Sequence, residues 1–299
     1  MTELPNPVFS QINAFQYKSG SQVKLPDDVF DNFRKFIYDS CGIYFQDNKK
    51  YLLESRLLKR INFLGINSYE EYYDYLKYNP ASSREKKYLY EAITINETFF
   101  FRNQPQLEAL VTRVIPEVLA SKLKPGKQKL RIWSAASSSG EEAYSVAIII
   151  SDLLKPKYPG LEVEIVGTDI NHAVIDTAKA GVYKEYSVRN TPAYYLKKYF
   201  NQYDGSYEVI PPVKSMASFK TANLIDDFEM KTMTNFDIIF CANVLIYFDL
   251  KSKIKVINHL YNSLNKGGYL FIGYAETLHM ISKAFNIVNF PKTIGYKKE

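Results

Sequence analysis

Short apolar runs rich in β-branched residues alternate with helical stretches across the second half of the chain, and this alternation constrains the fold most strongly. The runs are LRIW at 130–133, VEIVGT at 163–168, FDIIFC at 236–241 and YLFIGY at 269–274. Amphipathic segments such as GEEAYSVAIIISDLL and KSKIKVINHLYNSL lie between them. This arrangement is typical of a parallel sheet flanked by helices. A final pair of runs, FNIVNF and TIGYKK, is expected to close the edge of the sheet in antiparallel pairing.

Two stretches depart from this alternation. Residues 183–222 contain the helix-like segment NTPAYYLKKYF and two strand-like runs, SYEVI and ASFKTA, which predict a small antiparallel β insertion. Residues 27–93 instead have helical periodicity, in four segments joined by short turns. Since 299 residues suit a small domain followed by a larger one, we expect an all-helical domain over residues 1–93, with 1–25 as a tail, and an α/β domain over residues 94–299. The expected helix N-caps are Asp27 or Asp28, Asp47 or Asn48, and Ser68.

Charge and cysteine content exclude several classes of protein. The two cysteines, Cys41 and Cys241, are far apart and belong to no CxxC or His-Cys cluster, so we expect neither a metal site nor a disulfide framework. The net charge of +6 is too small to indicate nucleic acid as a partner. The first residues lack the pattern of a signal peptide, and no apolar run reaches the roughly 20 residues that span a bilayer. A cytoplasmic protein without membrane insertion is expected.

Polar residues follow the predicted strands, at the edge where an open parallel sheet binds its ligand. After the first strand, SAASSSGEE opens a helix with small residues that let a ligand approach the backbone. Because it contains a single glycine, Gly140, it is not the GxGxxG motif of dinucleotide-binding proteins. Asp169 follows the second strand, where such folds bind the hydroxyls of a ribose; a helix cap is the alternative role. Glu141 and Glu142 either stabilise the helix N-terminus or meet a cationic amino acid.

Two further segments bring polar and aromatic residues to the same region. Asn243 and Tyr247 follow the third strand and are predicted to face the pocket. A core position is the alternative for Tyr247 and its neighbour Phe248 in a chain that has 25 Tyr and 19 Phe residues. The segment 96–102, NETFFFR, lies at the expected domain junction, where it either begins a helix or adds to the pocket. The loop from Ser134 to Glu142, together with Asp169, predicts an adenosine-binding site.

Taken together, these segments resemble the CheR family of chemotaxis-receptor glutamate methyltransferases. The matching motifs, in the family's order and spacing, are ITINETFFFRN, RIWSAASSSGEEAYSVA, IVGTDIN, FKTANLID, FDIIFCANVLIYFD and GYLFIGYAETL. With the helical segment GIYFQDNKKYLLESRLLKRINFLG, the resemblance covers roughly residues 30–298. It implies a Rossmann-like class I methyltransferase domain after the helical domain, with S-adenosylmethionine as cofactor and S-adenosylhomocysteine as product.

The resemblance also implies roles for individual residues. The residues expected to contact the cofactor are Asn96, Thr98, Arg102, Ala135, Glu141, Asp169, Ile170, Asn223, Leu224 and Asn243. Among them, Asp169 would hold the ribose and Glu141 would lie near the methionyl amine. Arg102 and Tyr247 would form the catalytic centre, where Arg102 orients a substrate glutamate whose carboxylate attacks the methyl group in line and becomes a methyl ester. Ala242 stands where many members of the family carry arginine.

The implied substrate is the cytoplasmic domain of a chemoreceptor, methylated by a monomeric enzyme. Lys49, Arg56 and Arg60 fall within about 40° of one another on the second helix and are either a solvated basic face or, as in the family, a docking surface for an acidic receptor helix. The turn at 202–206 in the insertion is short, so we expect no tethering of a receptor's C-terminal peptide by strand addition. Two alternatives remain: a methyltransferase of this fold for another protein or a small molecule, and a non-catalytic signalling scaffold that binds S-adenosylmethionine.

Overall fold

Four helices packed around one apolar core form the first domain, as the sequence predicts. A computed structural model describes residues 24–122 and 128–299, so most of the expected tail lies outside the described residues. The helices are α1 (Asp27–Cys41), α2 (Lys50–Leu64), α3 (Tyr69–Tyr78) and α4 (Ser82–Ile93). Phe33, Leu57, Tyr72 and Leu89 are fully buried between them, and Leu25 joins the same core. The apolar stripes of the four helices are thus satisfied within this domain.

The first two helices begin differently from expectation. α1 has Pro26 at its N-cap, so Asp27 and Asp28 lie in its first turn, where they favour the positive end of the helix dipole. A 3-10 turn (Asp47–Lys49) precedes α2, and no side chain caps that helix. The predicted caps of both helices are wrong, because the residues proposed for them already lie inside helical turns. The cap of α3 is confirmed, since the Ser68 hydroxyl accepts a hydrogen bond of 3.1 Å from a backbone N–H of the first turn.

Seven strands of the described residues form the central sheet of the second domain. In chain order the strands are β1 (Lys129–Ala135), β2 (Glu162–Asp169), β3 (Val182–Lys184), β4 (Phe200–Tyr203), β5 (Ser206–Val209), β6 (Ala217–Thr221), β7 (Phe236–Cys241), β8 (Leu264–Ile272), β9 (Phe285–Phe290) and β10 (Thr293–Lys298). The central sheet has the order β6-β2-β1-β7-β8-β10-β9. The first five of these strands are parallel, and β10 and β9 close the edge in antiparallel pairing, which confirms the predicted closing pair. The strand order reverses between β1 and β7, where such sheets bind ligands.

Helices connect the strands and cover both faces of the sheet. They are α5 (Gln104–Ala109), α6 (Ile115–Ser121), α7 (Glu141–Ile149), α8 (His172–Ala180), α9 (Glu185–Val188), α10 (Ala193–Tyr199), α11 (Pro211–Lys214), α12 (Asp227–Lys231) and α13 (Leu250–Ser263). Ile132 and Ile238 belong to one buried cluster and Trp133 and Ile239 to another, because successive side chains of a strand point to opposite faces. Within residues 24–122 and 128–299, no helix is long and apolar enough to cross a membrane.

The insertion holds a three-stranded antiparallel sheet in the order β3-β5-β4. Asp204 and Gly205 form its tight turn with φ of 45° and 67°, which matches the geometry of a type I′ hairpin. The predicted place of ASFKTA is wrong: this run is β6, and it pairs with β2 in the central sheet, where Phe219 lies opposite Gly167. A strand of this length has the same sequence pattern in either sheet, so the sequence does not distinguish between them.

The helical domain rests against the edge of the sheet where the parallel strands end. The backbone N–H of Tyr44 donates to the carbonyl oxygen of Tyr247 at 2.9 Å. The Asn223 side-chain amide donates to the carbonyl oxygen of Ser40 at 2.7 Å. A pocket at this edge is therefore walled on one side by the helical domain.

Candidate functional site

The turn after β1 forms one wall of the pocket from backbone and small side chains. Ala136 and Ser138 line it and have left-handed backbone angles, with φ of 59° and 50°. Non-glycine residues held in this region of φ/ψ space cluster at ligand sites. Gly140, which precedes α7, has φ of 92°, and a Cβ there would lie 2.9 Å from the Cβ of Ala178. Glycine at this position therefore lets the turn adopt a positive φ and lie directly against α8.

Asp169 lies at the end of β2 and is only 6% exposed. Its carboxylate accepts hydrogen bonds of 3.0 Å from the backbone N–H groups of Ser138 and Asn171. Asn171 is the residue that caps α8, by accepting from the N–H of Val174, so the helix-cap alternative does not apply to Asp169. Burial raises the pKa of the Asp169 carboxyl, and its N–H donors oppose that rise. The carboxylate is therefore held rigidly in the pocket wall.

Of the two glutamates that open α7, Glu142 lines the pocket and Glu141 does not. The Ser134 hydroxyl donates to Glu142 Oε1 at 2.7 Å, and burial raises the pKa of Glu142 to about 7. Glu141 is 1% exposed, and its carboxylate accepts a hydrogen bond from the Ser139 hydroxyl at 2.8 Å. Ala135 is fully buried and is likewise not part of the wall. The contacts expected for Glu141 and Ala135 thus have no counterpart in the pocket wall, and the carboxyl that faces the pocket is that of Glu142.

Glu276 holds Asn243 in position after β7. Asn243 has φ of 60°, and its N–H donates to Glu276 Oε2 at 2.9 Å. The same oxygen accepts from the N–H of Gly273 at 2.7 Å, which ties the ends of β7 and β8 together. A Cβ on Gly273 would lie 2.8 Å from the Asn243 nitrogen, so this close approach requires glycine. Asn243 consequently lines the pocket, as predicted from its place after the third run.

The segment that links the two domains crosses the pocket without forming a helix. The carbonyl oxygen of Asn96 accepts from the Ser138 hydroxyl at 3.0 Å, and its Oδ1 accepts from the Asn171 amide at 3.0 Å. Thr98 lies half-buried in the wall. Arg102 is exposed and lines the pocket, so it marks the open side, which we call the mouth. Since α5 begins only after this segment and no side chain caps it, the helix-start alternative is wrong.

Tyr247 also lies at the mouth, in a 3-10 turn (Leu245–Tyr247) after β7. Burial raises the pKa of its hydroxyl, and the positive charges of Arg56 and Arg102 oppose that rise. Both guanidinium groups therefore lie close enough to act on the phenol, which stays neutral and can donate a hydrogen bond. The core alternative holds for its neighbour Phe248, which is 8% exposed and packs in the apolar core.

Three more of the predicted residues line the pocket. Ile170 follows β2, and Asn223 and Leu224 follow β6. The position of β6 beside β2 explains why Asn223 and Leu224 reach the pocket, because parallel neighbouring strands end at the same edge.

Among the described residues, two buried polar side-chain atoms of the pocket wall have no hydrogen-bond partner. Gln106 is 5% exposed, and its amide donates to the carbonyl oxygen of Ile272 at 2.6 Å while Oε1 stays unpaired. Ser137 Oγ is also buried and unpaired. Leaving such groups unsatisfied is costly, so they point to a bound ligand. Two free acceptors beside the carboxyls of Asp169 and Glu142 fit a nucleoside joined to a cationic amino acid, as in S-adenosylmethionine. The sequence alone gives no signal for Gln106.

The three basic residues of the second helix differ in their surroundings. Lys49 is exposed. Arg56 is half-buried and donates to the carbonyl oxygen of Ile93, which itself lines the pocket. Arg60 is 14% exposed and makes two hydrogen bonds of 2.8 Å with the buried carboxylate of Glu85. A fully solvated basic face is therefore wrong for Arg56 and Arg60.

Comparison with known proteins assigns both domains. Residues 28–94 match the all-alpha domain of CheR methyltransferases, and residues 96–294 match their SAM binding domain. Chemotaxis protein methyltransferase 2 of Vibrio cholerae is 37% identical over 279 residues, which cover 93% of this chain and 95% of that protein. Chemotaxis protein methyltransferase 1 of Pseudomonas aeruginosa is 36% identical over 90% of this chain and 97% of its own length. The chemotaxis protein methyltransferase of Borreliella burgdorferi is 33% identical over 89% of this chain and 94% of its own length. The chain therefore belongs to the CheR methyltransferase family and is an S-adenosylmethionine-dependent methyltransferase.

Proposed function

We propose that the protein methylates glutamate side chains in the cytoplasmic domains of chemoreceptors, giving glutamyl methyl esters and S-adenosylhomocysteine. The names of its relatives, chemotaxis protein methyltransferases, support this class of substrate. The observation that carries the proposal is the separation of charge in the pocket. The carboxyls of Asp169 and Glu142 lie in the wall, whereas Arg102 lies at the mouth with Tyr247, on which the charges of Arg102 and Arg56 both act. A cationic cofactor is favoured inside, and an acidic side chain is favoured at the entrance.

The pocket wall offers hydrogen-bond acceptors for the ribose and the ammonium group of the cofactor. In this proposal Asp169 binds the ribose hydroxyls, and Glu142 binds the methionyl ammonium group in place of the expected Glu141. Gln106 Oε1 and Ser137 Oγ are free to accept the remaining hydrogen bonds. The other residues proposed to contact the cofactor are Asn96, Thr98, Arg102, Ile170, Asn223, Leu224 and Asn243. When bound, the sulfonium centre supplies the methyl group and the charge that activates it.

Alignment is the main task of the protein in this reaction. A glutamate side chain has a pKa of about 4.3 and is ionised at neutral pH, so its attack on a methyl group requires no general base. Arg102 donates one N–H to the carbonyl oxygen of Glu97 at 2.8 Å and has further N–H groups for an incoming carboxylate. The neutral hydroxyl of Tyr247 is a second donor beside it. Holding the carboxylate in line with the methyl group lowers the barrier by fixing orientation in advance.

The receptor is proposed to dock beside the mouth, on the helical domain. The exposed Lys49 and the N–H groups of Arg56 that are not bonded to Ile93 are proposed to meet an acidic receptor helix, whereas Arg60 is already paired with Glu85. The two-residue turn of the insertion supports recognition without a tether. We propose that the enzyme acts as a monomer in the cytoplasm.

Kinetics of Arg102 variants test the proposed role at the mouth. We expect Arg102→Ala to lower kcat for methylation of a receptor cytoplasmic fragment by about 100-fold, a typical loss for removing one transition-state donor. Binding of S-adenosylhomocysteine, measured by calorimetry, is expected to change less than kcat. Full transfer activity in Arg102→Ala would exclude this residue as the group that orients the substrate.

A further inference from the structure

Arg189 lies against two aromatic rings beside the mouth. It follows α9, and its guanidinium carbon is 3.6 Å from the centre of the Tyr186 ring and 3.9 Å from that of Phe99. Its side chain is 29% exposed, and Nη2 lies 3.9 Å from Oε1 of Glu97. The Tyr186 hydroxyl donates to the same Glu97 oxygen at 3.2 Å. Arg189 and Tyr186 therefore hold Phe99 and Glu97 from the side of the insertion.

Phe99 and Glu97 also contact Arg102. The guanidinium carbon of Arg102 is 5.6 Å from the centre of the Phe99 ring, and its Nη1 donates to the backbone oxygen of Glu97. The N–H of Phe100 donates to the carbonyl oxygen of Ser187 at 2.9 Å, so the linking segment is also bonded to α9 through its backbone. Phe99 and Glu97 are thus shared between one arginine at the mouth and another in the insertion.

We propose that Arg189 is a positioning residue that sets the orientation of the Arg102 guanidinium through Phe99 and Glu97. The inference rests on the proposed function, in which Arg102 orients the substrate carboxylate. A planar guanidinium stacks on aromatic rings and bonds in fixed directions, whereas an ammonium group does neither equally well. Because alignment is what the protein contributes to the reaction, a small displacement of Arg102 has a large effect on rate.

A double-mutant cycle tests this coupling. We expect Arg189→Ala to lower kcat about tenfold and to leave the Kd for S-adenosylhomocysteine within about twofold. Arg189→Lys is expected to recover only part of the loss. In an Arg102→Lys background, Arg189→Ala should cause little further loss, because the group that it orients is already gone. Unchanged kcat in Arg189→Ala, or losses that multiply in the double variant, would overturn the proposal.

Arg113→Ala is the matched control. Arg113 also lies over an aromatic ring, 5.3 Å from the centre of Phe290, and it is not part of the pocket wall. Its replacement is expected to leave kcat within about twofold of wild type. A loss equal to that of Arg189→Ala would mean that removing any stacked arginine disturbs the enzyme, and the proposal would fall.

A crystal structure of Arg189→Ala separates this proposal from the proposed function. If wild-type protein methylates no receptor fragment, the proposed function fails, but the position of Arg102 can still be observed. Displacement of Arg102 from the Glu97 carbonyl oxygen supports the positioning role. Retention of the 2.8 Å hydrogen bond in the variant would contradict it.

Discussion

Replacing Glu142 with glutamine is expected to stabilise the free protein above neutral pH. Burial raises the pKa of this carboxyl from 4.5 to about 7. A shift of this size corresponds to about 3 kcal/mol. The folded protein binds this proton more tightly than the unfolded chain, so the carboxyl lowers the free energy of unfolding as the pH rises from about 4.5 to 7. The full cost of about 3 kcal/mol then persists above pH 7.

Urea unfolding at pH 5 and pH 8 measures this cost. Glutamine cannot ionise, so the free energy of unfolding of Glu142→Gln, relative to that of wild type, should increase by about 2 to 3 kcal/mol from pH 5 to pH 8. At pH 5 the two proteins should differ little, because most of the wild-type carboxyl is protonated in the folded state. An equal pH dependence in both proteins would show that Glu142 does not ionise with the raised pKa.

In contrast to the stability of the free protein, the affinity for S-adenosylhomocysteine should increase as the pH rises. At pH 6 only about one tenth of a carboxyl with a pKa near 7 is ionised, so wild type is expected to bind S-adenosylhomocysteine about tenfold more weakly than at pH 8. At pH 7 binding should release about half a proton, seen in calorimetry as an enthalpy that depends on the buffer. Glu142→Gln should bind weakly at both pH values and release no proton.

Glu141→Gln provides the decisive comparison. The Glu141 carboxyl does not line the pocket, so the affinity of Glu141→Gln for S-adenosylhomocysteine is expected to depend on pH as that of wild type does. If Glu141→Gln abolished that dependence and Glu142→Gln kept it, the assignment of the ammonium group to Glu142 would be refuted, and the expectation drawn from the family resemblance would stand.

Three further predictions concern the pocket, the central sheet and the helical domain. Asp169→Asn should weaken binding of S-adenosylhomocysteine at least tenfold in calorimetry, because an amide repels the backbone N–H donors that hold the carboxylate, whereas the exposed Asp176→Asn should bind normally. Gly167→Ala should lose about 1 to 3 kcal/mol of unfolding free energy in a urea titration, since its Cβ would lie 2.4 Å from the Phe219 ring. Gly160→Ala is the control and should be nearly neutral, because its Cβ would have no neighbouring atom within 4 Å. Arg60→Ala should lose about 3 kcal/mol of unfolding free energy in thermal or urea unfolding, because the buried Glu85 carboxylate loses its charged partner and keeps only the hydrogen bond from the Tyr72 hydroxyl. A loss below about 1 kcal/mol would mean that the ion pair does not stabilise the fold.

The sequence predicts the central sheet well because the information is local. Each parallel strand is a short apolar run bounded by turns, and the residues just after a run necessarily reach the edge where the ligand binds. Position after a strand therefore predicts Asn243 at the pocket, and for Asp169 the small-residue loop after the neighbouring strand favours the ligand role over a helix cap. The membership of β6 in the central sheet was missed because pairing with β2 is a contact between distant segments, which a five-residue run does not encode.

Side-chain partners were the least predictable part of the site. Glu141 and Glu142 are neighbours in one motif, and the rotation of the helix between adjacent residues decides which one faces the pocket. Arg60 has the same helical spacing as a docking residue, but Glu85, a residue 25 positions away, pairs with it. Gln106 bonds to the backbone of β8, and Glu276 bonds to the backbone N–H of Asn243, 33 positions away, so no local pattern marks these contacts.

Transfer of labelled methyl groups from S-adenosylmethionine to receptor cytoplasmic fragments tests the central claim most directly. We expect label on glutamate side chains of at least one fragment, released by mild base as expected of a methyl ester. With Arg102→Ala the label should be nearly lost. Binding of S-adenosylmethionine without transfer to any receptor fragment, or label that resists base, would contradict the claim that this pocket methylates carboxylates.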